Sequence, residues 1–149
     1  MAKLSTQGTA RLAKRVLVSK GIGFQIPTAK QKKNLLVEYV KRNMVIYGKA
    51  FDMIKTKGKI DLNSPTSVAS NLDKITVYEI KSTRLSKVGS NFKGYFFALT
   101  TAELLAAQSL KGRFRFAFVN TSTGNFQDWS LAQIFAKAKG IYPTWSIMI

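Results

Sequence analysis

Glu79 and Lys81 stand two residues apart in the run Ile75-Thr76-Val77-Tyr78-Glu79-Ile80-Lys81-Ser82-Thr83. The run is rich in β-branched and aromatic residues, which predicts a strand. Alternate side chains on a strand share a face, so Glu79 and Lys81 point the same way as Ile75 and Val77. Tyr78 and Ile80 take the other face. Charge on a partly apolar face is costly unless it pairs, holds a metal or does chemistry. A second acid in apolar surroundings is Asp52, in Ala50-Phe51-Asp52-Met53-Ile54, and Asp61 beside the turn residues Gly58 and Asn63 is a weaker instance. Carboxylates from two neighbouring strands plus a lysine can hold Mg²⁺ (or Mn²⁺) and a water beside a phosphodiester, because hard cations seek carboxylate and carbonyl oxygens. The ion polarises the phosphate and lowers the pKa of its water, and the lysine orients that water or neutralises developing charge.

The composition fits that chemistry. The chain has 149 residues, with 24 Lys and Arg against 7 Asp and Glu, a net charge of +17. That imbalance predicts a polyanionic partner, nucleic acid above all. The basic residues are spread along the chain with no juxtamembrane cluster, and no apolar run reaches the ~20 residues of a membrane helix. No membrane partner is expected. No apolar h-region follows the basic N-terminus, so no signal peptide is read and an intracellular setting is expected. With no His and no Cys, histidine bases, thiolate metal sites and disulfides are excluded. Every carboxylate can be named: Glu38, Asp52, Asp61, Asp73, Glu79, Glu103 and Asp128.

The positioning elements follow from periodicity. Residues 9–20 predict a helix with Leu12, Ala13, Val16 and Leu17 inward and Arg11, Lys14 and Arg15 outward, available to phosphates. Residues 28–43 predict a second, with a capping box at Thr28 and Gln31 and an apolar stripe of Leu35, Leu36, Tyr39 and Val40. Glu38 reads as a surface ion pair with neighbouring lysines. Met44 to Tyr47 and Ala50 to Ile54 read as one bent strand or a pair broken at Gly48. Residues 63–74 read as a loop. After Thr83 comes a basic loop with Arg84, Lys87 and Lys93, placed to grip backbone phosphates; Lys49, Arg113 and Arg115 complete the candidate DNA contacts. Tyr95 to Leu99 reads as a strand. Thr100 and Glu103 then cap a helix to about Leu110, with Glu103 taken as a cap. Arg113 to Val119 alternates as a strand, 120–125 is a turn, and a last helix is capped by Ser130 and Gln133. The apolar tail 141–149 suits docking on the core or on a second subunit. The chain is expected to be a single domain over 1–149, of α/β (α+β) class, a mixed sheet with helices on its faces.

Asp52 in FDMI with Glu79 and Lys81 in VYEIKST resembles the PD-(D/E)xK nuclease superfamily, the restriction-endonuclease-like fold. The helix TTAELLAAQ and the strand RFRFAFV follow the order of that family's core, so the likeness spans about residues 44–120. Ala50 and Phe51 stand where the family carries its Pro. The resemblance implies a restriction-endonuclease-like mixed central sheet flanked by helices and Mg²⁺-dependent hydrolysis of double-stranded DNA. It further implies Asp52, Glu79 and the Ile80 carbonyl as metal ligands, and Lys81 as the water-orienting or charge-stabilising group. Asp61 fits the acidic role as well as Asp52 does, and Glu38 is the upstream acid that some members add. Site-specific cutting of restriction or homing type is expected. A junction or repair nuclease, or a non-catalytic basic nucleic-acid-binding protein, is the alternative. An enzyme this small that cuts both strands is expected to act as a homodimer or higher homo-oligomer.

Overall fold

The computed structural model describes residues 6–149. Strand β3, Ile75–Thr83, lies at the middle of a five-stranded sheet whose order follows the chain: β1 (Phe24–Gln25), β2 (Met53–Thr56), β3, β4 (Phe114–Asn120) and β5 (Phe126–Trp129). Only the β3–β4 pair is parallel, with Glu79 opposite Phe116 and Lys81 opposite Phe118. The other pairs are antiparallel. A parallel pair needs a crossover, and helix α4 (Thr101–Leu110) provides it. The sheet is therefore mixed, with helices on its faces, as the sequence predicts.

The alternation along β3 divides the core. Ile75 and Val77 join Phe114, Phe116 and Phe118 on one face, packed with Leu35 and Tyr39 of helix α2 (Ala29–Lys41) and with Ala106, Ala107 and Leu110 of α4. Tyr78 and Ile80 join Met53, Ala117 and Val119 on the other, covered by Ala13 and Leu17 of helix α1 (Thr6–Ser19). The capping boxes at Thr28, Thr100 and Ser130 are all formed, the last on helix α5 (Leu131–Lys137).

Several expectations are corrected. Residues 63–74 are not a plain loop. Ser64 caps helix α3 (Pro65–Ser70), which begins on a proline whose fixed φ suits a first turn, and a 3₁₀ turn over Leu72–Lys74 follows. Met44 to Tyr47 forms no strand, and Gly48–Ala50 is a 3₁₀ turn, so β2 begins only at Met53 and Asp52 stands just before it. Tyr95 to Leu99 keeps the alternation of a strand without a ladder. Tyr95, Phe97 and Leu99 pack on the core with no sheet partner among the described residues. Leu12 and Val40 prove exposed, and Glu38, paired with Lys41 as expected, is buried rather than superficial. Strands β1 and β5 are too short, at two and four residues, to show a period. The tail from Ile141 is exposed and without regular structure, so it does not dock on the core.

Phe118 gathers the aromatic cluster, with ring centroids 4.8 Å from Phe97, 4.9 Å from Trp129 and 5.9 Å from Phe92. Truncating it to alanine opens a cavity no neighbour can fill, and Phe118→Ala is expected to cost about 3–5 kcal/mol of unfolding free energy, read from urea midpoints. A loss below about 1 kcal/mol would show that the cluster is not packed as described.

Candidate functional site

The site forms where β3 outruns β2. Asp52 N–H donates to the Tyr78 carbonyl (2.8 Å), and Ile80 N–H donates to Asp52 Oδ2 (3.3 Å). In a strand the N–H and C=O of one residue lie on the same edge, so the Ile80 carbonyl points toward the same margin as Asp52. Lys14, on α1, reaches Asp52 Oδ1 at 3.5 Å. Lys32, on α2, donates to the carbonyls of Gly48 (2.9 Å) and Phe51 (2.7 Å) and lies over the Phe51 ring, pinning the backbone that delivers Asp52.

On the α2 and α4 side of the sheet, Lys81 is held between two carboxylates. Its Nζ lies 3.2 Å from Glu79 Oε1 and 2.7 and 3.0 Å from the two oxygens of Glu103. All three side chains are nearly buried, at 12%, 12% and 5% exposure for Lys81, Glu79 and Glu103. Glu103 also closes the α4 capping box, accepting from Thr100 N–H at 2.9 Å. One carboxylate thus fixes both the helix end and the lysine.

The charges are unevenly shared. Burial, helped by Asp52 and Glu103, pushes the Glu79 carboxyl up to about 9, with Lys81 acting in the opposite sense without prevailing. A hydrogen bond between Glu79 and Glu103 adds to the rise, a bond that two carboxyl groups make only by sharing a proton. Burial lowers the Lys32 ammonium, against the pull of Asp52 and Glu79.

The donor set suits a hard cation in chemistry. Asp52, Glu79 and the Ile80 carbonyl offer oxygen only, and a concentration of acid this strong is eased by a positive ion. Among the described residues no three Asp, Glu, His or Cys side chains gather as a cage. A cation here would rest on one or two carboxylates and a carbonyl with substrate or water beyond them, the manner of Mg²⁺.

The other expected residues are dispersed. Asp61 is exposed, and its carboxylate accepts from Asn63 N–H (3.0 Å) within its own turn. Arg11, Arg15, Lys49, Lys87 and Lys93 are exposed, and the Arg84 carbonyl accepts from the Ser122 hydroxyl. Arg113 is half-buried near Tyr39. Arg115 is committed inside the protein, donating to the Asp128 carboxylate, which also accepts from the Tyr78 hydroxyl at 2.8 Å. Sequence reasoning missed two participants. Glu103 shows a capping signature that conceals its second role, and nothing local marks Lys32, whose partners lie 16 and 19 residues away. No family model, no curated protein and no solved structure matches the chain.

Glu79 gives a pH signature. Its carboxyl holds a proton in the folded state, to about 9, that it releases in the unfolded state near 4.5. Between those values unfolding releases a proton, so this group makes stability fall as pH rises and levels off beyond the upper value. Urea midpoints measured across that window should decline with pH less steeply for Glu79→Gln than for the native chain. Identical slopes would contradict the shift.

Proposed function

We propose that this protein is a Mg²⁺-dependent (or Mn²⁺-dependent) endonuclease that hydrolyses phosphodiesters of double-stranded DNA, working as a homodimer or higher oligomer to address both strands. The observation that carries the reading is the meeting of Asp52, Glu79 and the Ile80 backbone at one sheet margin, with Lys81 beside them on a basic protein. Its order of elements, three antiparallel strands, a crossover helix and a parallel fourth strand, supports the restriction-endonuclease-like core that the sequence resembles. When bound, the cation supplies a polarised phosphate and an activated water.

The chain's own residues set up the reaction. Asp52 and Glu79 present oxygens from two strands, and Ile80 N–H holds the Asp52 carboxylate in place. Lys32 fixes the Phe51 carbonyl, and so the backbone just before Asp52. Lys81 presents a cation, held by Glu103, that can orient a water or offset charge on the phosphorane-like transition state. Basic side chains on α1 and on the loop after β3 hold the phosphate backbone and give an affinity that weakens with salt.

Plasmid DNA incubated with the protein should be cut with Mg²⁺ and left intact with EDTA. Glu79→Ala and Lys81→Ala should each cost roughly a hundredfold or more in rate while DNA binding persists. Discrete fragments would assign site-specific cutting of the restriction or homing kind, whereas preference for branched DNA would assign a junction or repair role. Binding with no Mg²⁺-dependent cleavage would sink the enzyme reading and leave a nucleic-acid-binding module.

A further inference from the structure

The segment from Ser82 to Ala102 leaves the site at Lys81 and returns to it at Glu103, and those two residues are bonded at 2.7 Å. Both feet of this long connection are therefore tied at the candidate centre. It carries Arg84, Lys87 and Lys93 and no acidic residue.

Phe96, within it, is 80% exposed. A lone exposed phenylalanine needs no explanation, but three features set this one apart. Its neighbours in sequence are anchored inward: Tyr95 donates from its hydroxyl to the Ser82 carbonyl (2.8 Å), and the Tyr95 and Phe97 rings stack at 5.7 Å. Both also pack edge-on against Phe118. The backbone on either side of Phe96 is thus pinned, and alternation turns the ring outward as a rigid fixture. The Tyr95 bond ties the side chain next to it in sequence to Ser82, one residue past Lys81. Its connection carries three cations ahead of the ring, the nearest Lys93 three residues away, and no acid. An outward aromatic ring on a connection with cations and no acid is the combination that stacks an unpaired base while the cations follow the phosphates.

We infer that Phe96 is a stacking platform for an unpaired base next to the cleavage centre, so that the substrate contains unpaired nucleotides, as at a fork, flap or junction. This deepens the nuclease reading by naming a substrate class, and it rests on that reading only for what happens after binding. A second copy of the chain seated on the ring is the competing occupant. The charge argues against it, since a partner with the same net +17 repels this basic segment.

The test measures binding by the full chain in EDTA, without cleavage. The probes are a fully paired duplex and the same duplex with an internal unpaired stretch carrying 2-aminopurine. The native chain should prefer the interrupted duplex and quench its fluorescence. Phe96→Ala should abolish the quenching and lose about tenfold in affinity for that probe alone, with Phe96→Trp retaining both, since stacking on one base is worth that much. An unchanged affinity, or an equal loss on both probes, would overturn the platform. So would a native oligomer that Phe96→Ala splits in sedimentation, because the ring would then be a protein contact. If the binding results hold while Mg²⁺-dependent cleavage fails, the nuclease reading alone falls. If cleavage holds and Phe96→Ala binds normally, the platform alone falls.

Discussion

Lys81 is a nearly buried ammonium held between two nearly buried carboxyl groups, of which Glu79 keeps its proton up to about 9. Taking ionisable groups out of water is expensive, and the bonds from the Lys81 ammonium to both carboxyl groups offset that cost. Three elements are bound by that requirement. Strand β3 must run long enough to carry both Glu79 and Lys81 past the start of β2. Helix α4 must begin where the Glu103 carboxylate can cap its own first turn and reach the lysine. The sheet must hold β3 and β4 parallel, so that α4 crosses back over the face on which Lys81 emerges. A hydrophobic triad of similar volume would stabilise the fold at least as well. Its retention as an ionisable cluster is what suggests chemistry.

The second margin of the site is backbone. Asp52 is delivered by a segment that departs from regular strand geometry, from the 3₁₀ turn at Gly48–Ala50 to the first residue of β2. An irregular segment holds one geometry only when other groups restrain it, and Lys32 and the Ile80 N–H do so at Phe51 and Asp52. The two halves of the site are thus fixed by different means, one by an ionic cluster and the other by side-chain clamps on main-chain atoms.

Much of this was legible in the sequence, for physical reasons. The ends of β3 match its β-branched run because both faces are buried, so pattern and propensity agree. The capping boxes at Thr28, Thr100 and Ser130 were readable because a cap is a local bargain between residues three apart. Tyr95 to Leu99 misled because alternation reports which side chains are buried and says nothing of a hydrogen-bonded neighbour. The double role of Glu103 was hidden for a related reason: its partner lies 22 residues away, and only the crossover brings them together. Arg115, one of the expected DNA contacts, is drawn to Asp128 by the pairing of β4 with β5, a strand too short to announce itself.

Catalysis as proposed requires a cation site formed by Asp52, Glu79 and the Ile80 carbonyl. Substoichiometric Mn²⁺ added to isotopically labelled protein tests it most directly, because the paramagnetic ion broadens amide resonances in its immediate surroundings. Early loss of the Asp52, Glu79 and Ile80 signals is expected, reversed by excess Mg²⁺ and absent in Asp52→Asn. Broadening centred elsewhere, or spread evenly over the surface with those three resonances intact, would contradict it.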